Sequence, residues 1–144
     1  MLPRLSKRHG VRIVLDTNVL VSGIFWGGAP LTILDHWASG GLDIVITSPI
    51  LDEYVRVINE LGGKNPSLAA RWVDLLTTYP VIIKNRVSIS LSRDPDDNKF
   101  LECAVYANVD CIVSGDWDLL ALKHIHTIPI LKPSAFISRF FRSS

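Results

Sequence analysis

Cysteine is scarce in this chain, and the signatures of most cofactor enzymes are missing altogether. Its 144 residues include two cysteines, Cys103 and Cys111, both in apolar segments and without CxxC or metal-ligand spacing. They read as buried, reduced thiols of a cytoplasmic protein, which argues against a disulfide framework or a thiolate metal site. Among the histidines, His124 and His126 are too close for one helical face, and His9 and His36 lie elsewhere, so a zinc hydrolase is poorly supported. No GxGxxG or P-loop run is present, which disfavours a nucleotide-cofactor enzyme. No apolar run reaches the ~18 residues needed to cross a bilayer, so no membrane partner is expected. Charge of either sign is not in excess: 15 basic and 14 acidic residues give a net +1. A nucleic-acid partner would have to be drawn by local patches, not by a global field.

What is present fits one domain. Hydrophobic residues make up 48% of the chain, enough for a proper core at this length. The basic start, residues 1–10, has no apolar stretch before Arg12 and Asp16 and is read as a mobile tail, not a signal peptide. Arg4, Lys7 and Arg8 could touch RNA from it. Residues 11–144 then read as the folded domain.

Apolar runs at 11–15, 43–47, 81–83, 110–113 and 128–131 predict strands. Pro129 lacks an N–H, which predicts an edge position for the last of them. A loop with Gly23, Gly27, Gly28 and Pro30 leads to a helix over about 30–39, with Leu31, Leu34, Trp37 and Ala38 inward. Ser48 as cap with Pro49 behind it starts a helix to about Leu61. Further helices are predicted over about 67–78, 96–108, a short one after Asp116, and one from Pro133 to about Phe141. Residues 84–95 read as irregular. Strands alternating with helices imply an α/β fold, a central, mostly parallel twisted sheet with helices on both faces.

Four acids, Asp16, Glu53, Asp97 and Asp116, each sit where such a run gives way to a turn or a young helix. In an open parallel sheet those places converge on the crevice beyond the carboxyl ends of the strands. Carboxylates gathered within about 5 Å repel by roughly 3 kcal/mol per pair at an effective dielectric near 20. A divalent metal ion removes that conflict, so the pattern points to a metal-dependent hydrolase.

Helical spacing places Asp97 on the face of Phe100, Leu101, Ala104 and Val105, whereas Asp94 and Asp96 are offset toward turn and cap roles. Glu53 lies at the edge of the stripe Ile50, Leu51, Tyr54 and Ile58. Asp118 either assists or is simply exposed. Asn18 either positions a water or closes an Asx-turn. Asn18 also stands where a haloacid-dehalogenase-type phosphatase would need its second Asp. Of four tryptophans, Trp26 and Trp117 are the candidates for base stacking.

The runs Val14-Leu15-Asp16-Thr17-Asn18-Val19-Leu20, Thr47-Ser48-Pro49 with Glu53, Asp94-Pro95-Asp96-Asp97-Asn98-Lys99-Phe100-Leu101 and Ile112-Val113-Ser114-Gly115-Asp116-Trp117-Asp118-Leu119-Leu120 occur in this order. Together, over about residues 11–135, they resemble the PIN-domain ribonucleases, especially the toxins of bacterial and archaeal toxin–antitoxin pairs (VapC-like proteins). The resemblance implies that Asp16, Glu53, Asp97 and Asp116 hold Mg²⁺ or Mn²⁺ for RNA hydrolysis; Asn18, Ser114 and Asp118 are candidates for a supporting role. Ser114 stands where the family more often has Thr, and the hydroxyl is kept. A homodimer and a small antitoxin protein as partner are implied in the same way. The alternatives are an RNA-processing PIN nuclease that is not a toxin, or a catalytically inert PIN scaffold binding RNA or protein.

Overall fold

The computed structural model describes residues 10–84 and 94–141. The basic tail, apart from Gly10, and most of the stretch expected to be irregular lie outside the described residues. β-Branched and aliphatic runs form β1 (Val11–Leu15), β2 (Leu42–Ile46), β3 (Val81–Ile82), β4 (Cys111–Val113), β5 (His124–Ile125) and β6 (Ile128–Leu131). Among the described residues the helices are α1 (Thr17–Trp26), α2 (Ala29–Ala38), α3 (Ser48–Leu61), α4 (Pro66–Thr78), α5 (Asn98–Ala107), α6 (Trp117–Leu122) and α7 (Pro133–Phe140).

The strands lie in the order β3-β2-β1-β4-β6-β5, all parallel to their neighbours except β5, which runs antiparallel to β6. Ile13, Val14 and Leu15 are all fully buried, as are Ile44, Val45 and Ile46. Successive side chains of a strand point to opposite faces, so both faces of the sheet are covered. The chain leaves β1 toward β2 on one side and returns to β4 on the other. The gap between β1 and β4 is therefore the topological switch point.

Two expectations fail for physical reasons. The segment after Asp16 is a helix, not a loop. Its β-branched residues and Gly23 have poor helix propensity, but Val19, Leu20, Val21 and Ile24 are buried, and packing outweighs propensity. Gly23 is a helix-crossing residue: a Cβ there would lie 2.8 Å from Leu34 Cδ1 and 2.9 Å from the Pro30 carbonyl carbon. Gly27 and Gly28, with φ of 80° and 74°, make the turn between α1 and α2. Gly23→Ala is expected to cost about 1–3 kcal/mol of unfolding free energy by overpacking, seen as a lower denaturant midpoint.

The second correction is Pro129, which is not at an edge. The β4–β6 register pairs Ile112 with Ile130 and Val113 with Leu131, so Pro129 stands one residue ahead of that ladder. On the other side the Ile130 N–H donates to the Lys123 carbonyl. By alternation the missing Pro129 N–H faces β4 just ahead of the paired ladder, and β5 takes the edge instead.

Cys103 and Cys111 are both free and fully buried. Burial pushes each thiol up to about 12, so neither is a ready nucleophile. Among the described residues no single helix is long and apolar enough to cross a membrane.

Candidate active site

The parallel strands end together, and the chain turns into polar residues at that edge. Leu15 is followed by Asp16, Ile46 by Thr47 and Val113 by Ser114; all three polar residues are buried. The Asp16 N–H donates to the Val113 carbonyl at 3.0 Å, which clamps the first acid to the end of β4 across the switch point. Beyond lies a cleft of about 230 Å³ whose lining includes Asp16, Asn18, Glu53, Asp97, Lys99 and Asp116. A larger hollow of about 510 Å³ lies between α3 and α4, lined by small residues such as Gly62, Ala69 and Ala70. It lacks converging acids, so the smaller cleft is the candidate site.

Ser114 organises the middle of the site. Its fully buried hydroxyl donates to Asp16 Oδ2 at 2.7 Å and accepts the Asp116 N–H at 2.9 Å. One side chain thus fixes the spacing of two acids from different strand ends. Asp116 in turn caps α6, its Oδ2 accepting the Leu119 N–H at 3.0 Å. Asn18 is exposed, and its backbone N–H reaches Asp16 Oδ1 at 3.4 Å, the Asx-turn geometry.

Asp97 ends a single 3₁₀ turn, Pro95–Asp97, before α5, and is buried. The Asp94 carboxylate accepts the Asp96 N–H at 3.0 Å and so caps that turn. Asp97, Asp116 and Asp118 each offer a carboxylate oxygen within 4.8 Å of the others. Three hard oxygen donors at that spacing suit a divalent cation such as Mg²⁺ or Mn²⁺. Asp118, two-sided in the sequence, thus joins the group.

Glu53 is placed differently. Lys99 Nζ lies 2.7 Å from Glu53 Oε1, and the Thr17 hydroxyl donates to Oε2. All four acids singled out in the sequence line this cleft: Asp97 and Asp116 belong to the close-set group, Asp16 is joined to Asp116 through Ser114, and Glu53 carries its own cation on the rim. Lys99 and Thr17 were missed as site residues. No spacing rule pairs a lysine of α5 with a glutamate of α3, although Lys99 does follow Asp97 by two positions.

The two kinds of setting shift the acids in opposite directions. Burial pushes the Asp16 carboxyl above its usual range; Ser114 and the Asn18 N–H oppose this, and the charges of Asp116 and Glu53 add to it. Burial alone would raise Glu53 too, but the Lys99 and Thr17 hydrogen bonds, with the charges of Lys99 and Arg56, outweigh it and hold Glu53 below its usual range.

Trp117 is 76% exposed between Asp116 and Asp118, and Trp26 is 71% exposed at the end of α1, while Trp37 and Trp72 are core residues. Both exposed rings are free to meet a ligand.

Residues 12–118 match the PIN domain family. The chain is 30% identical over 151 residues to the uncharacterized protein MJ1680 of Methanocaldococcus jannaschii, covering 90% of this chain and 92% of that one. Its fold is similar to that of VapBC2 from Rickettsia felis bound to a DNA fragment from their promoter (TM-score 0.57, 16% identity, 83% of this chain and 97% of that one). It is similar as well to PAE2754 from Pyrobaculum aerophilum (TM-score 0.60, 14% identity, 92% and 97%).

Proposed function

We propose that this chain, which belongs to the PIN-domain family, is a metal-dependent ribonuclease and the toxin of a toxin–antitoxin pair. The observation that carries the nuclease reading is the meeting of Asp97, Asp116 and Asp118 within 4.8 Å, beside Asp16 at the switch point. These residues would hold Mg²⁺ or Mn²⁺, with Asp16 completing the donor set from the sheet side. A divalent ion there supplies the charge that acidifies a bound water and offsets negative charge developing on the phosphodiester. The chain's own part is positioning: Ser114 fixes Asp16 against Asp116, and the capped turn at Asp94 delivers Asp97. Trp117 offers an exposed ring at the mouth of the site for a base, a contact worth about 1–3 kcal/mol.

The toxin reading is supported by the similarity to VapBC2 and by the VapC-like motif order. It brings a small antitoxin protein as partner and a homodimer as the assembly, in the cytoplasm. The purified protein is expected to cleave RNA with Mg²⁺ or Mn²⁺, to stop in EDTA and to resume when Mn²⁺ is restored. Undiminished cleavage in chelator would sink the carboxylate–metal mechanism. Expression alone should slow growth, and the product of the adjacent gene should restore it. Normal growth with an active nuclease would favour the RNA-processing alternative.

A further inference from the structure

We propose that Lys99 is a resident cation of the site, holding the position at Glu53 where a second divalent ion would otherwise bind. The protein then takes one divalent ion per chain. This rests on the metal-nuclease reading above and adds to it the stoichiometry and the residue that sets it.

The contacts of Glu53 carry the argument. Both its carboxylate oxygens are engaged, Oε1 by Lys99 Nζ at 2.7 Å and Oε2 by the Thr17 hydroxyl. Lys99 is anchored from a second direction, since Nζ also donates to the Asp96 carbonyl at 2.6 Å. Its Nζ lies 4.9 Å from the centre of the Phe100 ring, a residue that is itself almost fully buried. The Lys99 and Glu53 side chains are only 20% and 22% exposed, so water screens the pair weakly. A dication could take Glu53 only by expelling an ammonium that has another oxygen and a ring to hold it.

The other acids divide from Glu53 on the same geometry. Asp97, Asp116 and Asp118 offer mutually close oxygens without it. Paired-metal sites place their ions roughly 3.5–4 Å apart and clamp both the attacking and the leaving oxygen of the phosphodiester. Here the second clamp is an ammonium. It has three N–H donors, and two go to Glu53 and Asp96, which leaves one for a phosphate oxygen. Lys99 is thus a positioning residue for Glu53 and a fixed charge for the substrate.

Mn²⁺ titration of the intact protein, followed by the electron paramagnetic resonance signal of free Mn²⁺, tests this without reference to activity. Wild type is expected to bind one Mn²⁺ per chain, and Glu53→Gln to keep that one. Lys99→Met, folded as judged by circular dichroism, should bind two, and Lys99→Arg should return the count to one. Two ions bound by wild type, one by folded Lys99→Met, or loss of the single ion in Glu53→Gln would each overturn the proposal. No binding by wild type, unaltered in Asp116→Asn, would instead overturn the metal-site reading on which it rests.

Discussion

Asp16→Asn is expected to remove more than about 100-fold of the cleavage rate while making the protein harder to unfold at neutral pH. The activity loss should exceed the 10- to 100-fold typical of outer-sphere partners, because Asp16 itself faces the cleft. The stability gain follows from burial. Asp16 is 4% exposed and its carboxyl is held above the usual range, first by desolvation, with Asp116 and Glu53 adding repulsion. The fold therefore favours the protonated acid. That contribution is fully present below the ordinary value of 3.8 and is lost as pH rises through the raised folded value. At neutral pH the wild type bears the cost and the isosteric amide does not, so the melting-temperature gap should close as pH falls toward 3.8. Glu53→Gln should behave oppositely. Glu53 is held below 4.5, so it stabilises the fold above that value and the contribution is lost as pH falls through the lowered one. That variant should melt lower at neutral pH. Wild-type cleavage by Asp16→Asn would place the site elsewhere, and a lower melting temperature would refute the desolvation argument.

Where periodicity and caps agreed with burial, the sequence was a sufficient guide to the fold. The runs at 11–15 and 128–131 become β1 and β6, and Pro49 and Pro133 stand at helix starts as expected. It failed where tertiary contact decides. A glycine that lets two helices pack where an added Cβ would lie 2.8 Å from Leu34 Cδ1 looks, in sequence, like a glycine of a loop. Likewise Ile33, not Ala38, faces inward on α2, a rotation that depends on what the helix meets. The cap of α3 moves one residue too: Ser48 is already helical and Thr47 precedes it. β5 is only two residues long, too short to leave a periodic signal, so nothing in the sequence offset the edge position that Pro129 suggests for β6.

The site divides along similar lines. Acids at strand ends are legible because a parallel sheet sends all its carboxyl ends to one rim, and the helical-face argument for Asp97 needed only a period. The ordering within the rim was not legible. Asp118 joins Asp97 and Asp116 because α6 starts at once after its cap and turns both acids to one side. Ser114 bridges Asp16 and Asp116 only once β1 and β4 are neighbours. The Lys99–Glu53 pair joins two helices separated by α4 and β3 in the chain.

Asp97→Ala should abolish cleavage, whereas Asp94→Ala should leave most of it. The two residues are three apart in one short acidic run, so charge density alone does not separate them. Geometry does. Asp97 is 8% exposed and shares its oxygens' neighbourhood with Asp116 and Asp118. Asp94 is exposed, its side chain caps the turn through the Asp96 N–H, and its carbonyl accepts the Asp97 N–H at 3.0 Å. Removing the Asp94 side chain costs a cap, about 1 kcal/mol, and the backbone bond to Asp97 survives. Removing the Asp97 carboxylate takes away one of three donors, so Mn²⁺ affinity and cleavage should fall together by more than about 100-fold. Titration of Mn²⁺ and cleavage assays on both variants decide the matter. Loss of cleavage in Asp94→Ala with activity kept in Asp97→Ala would mean that the face of α5, and with it the assignment of this rim, has been read one turn out of place.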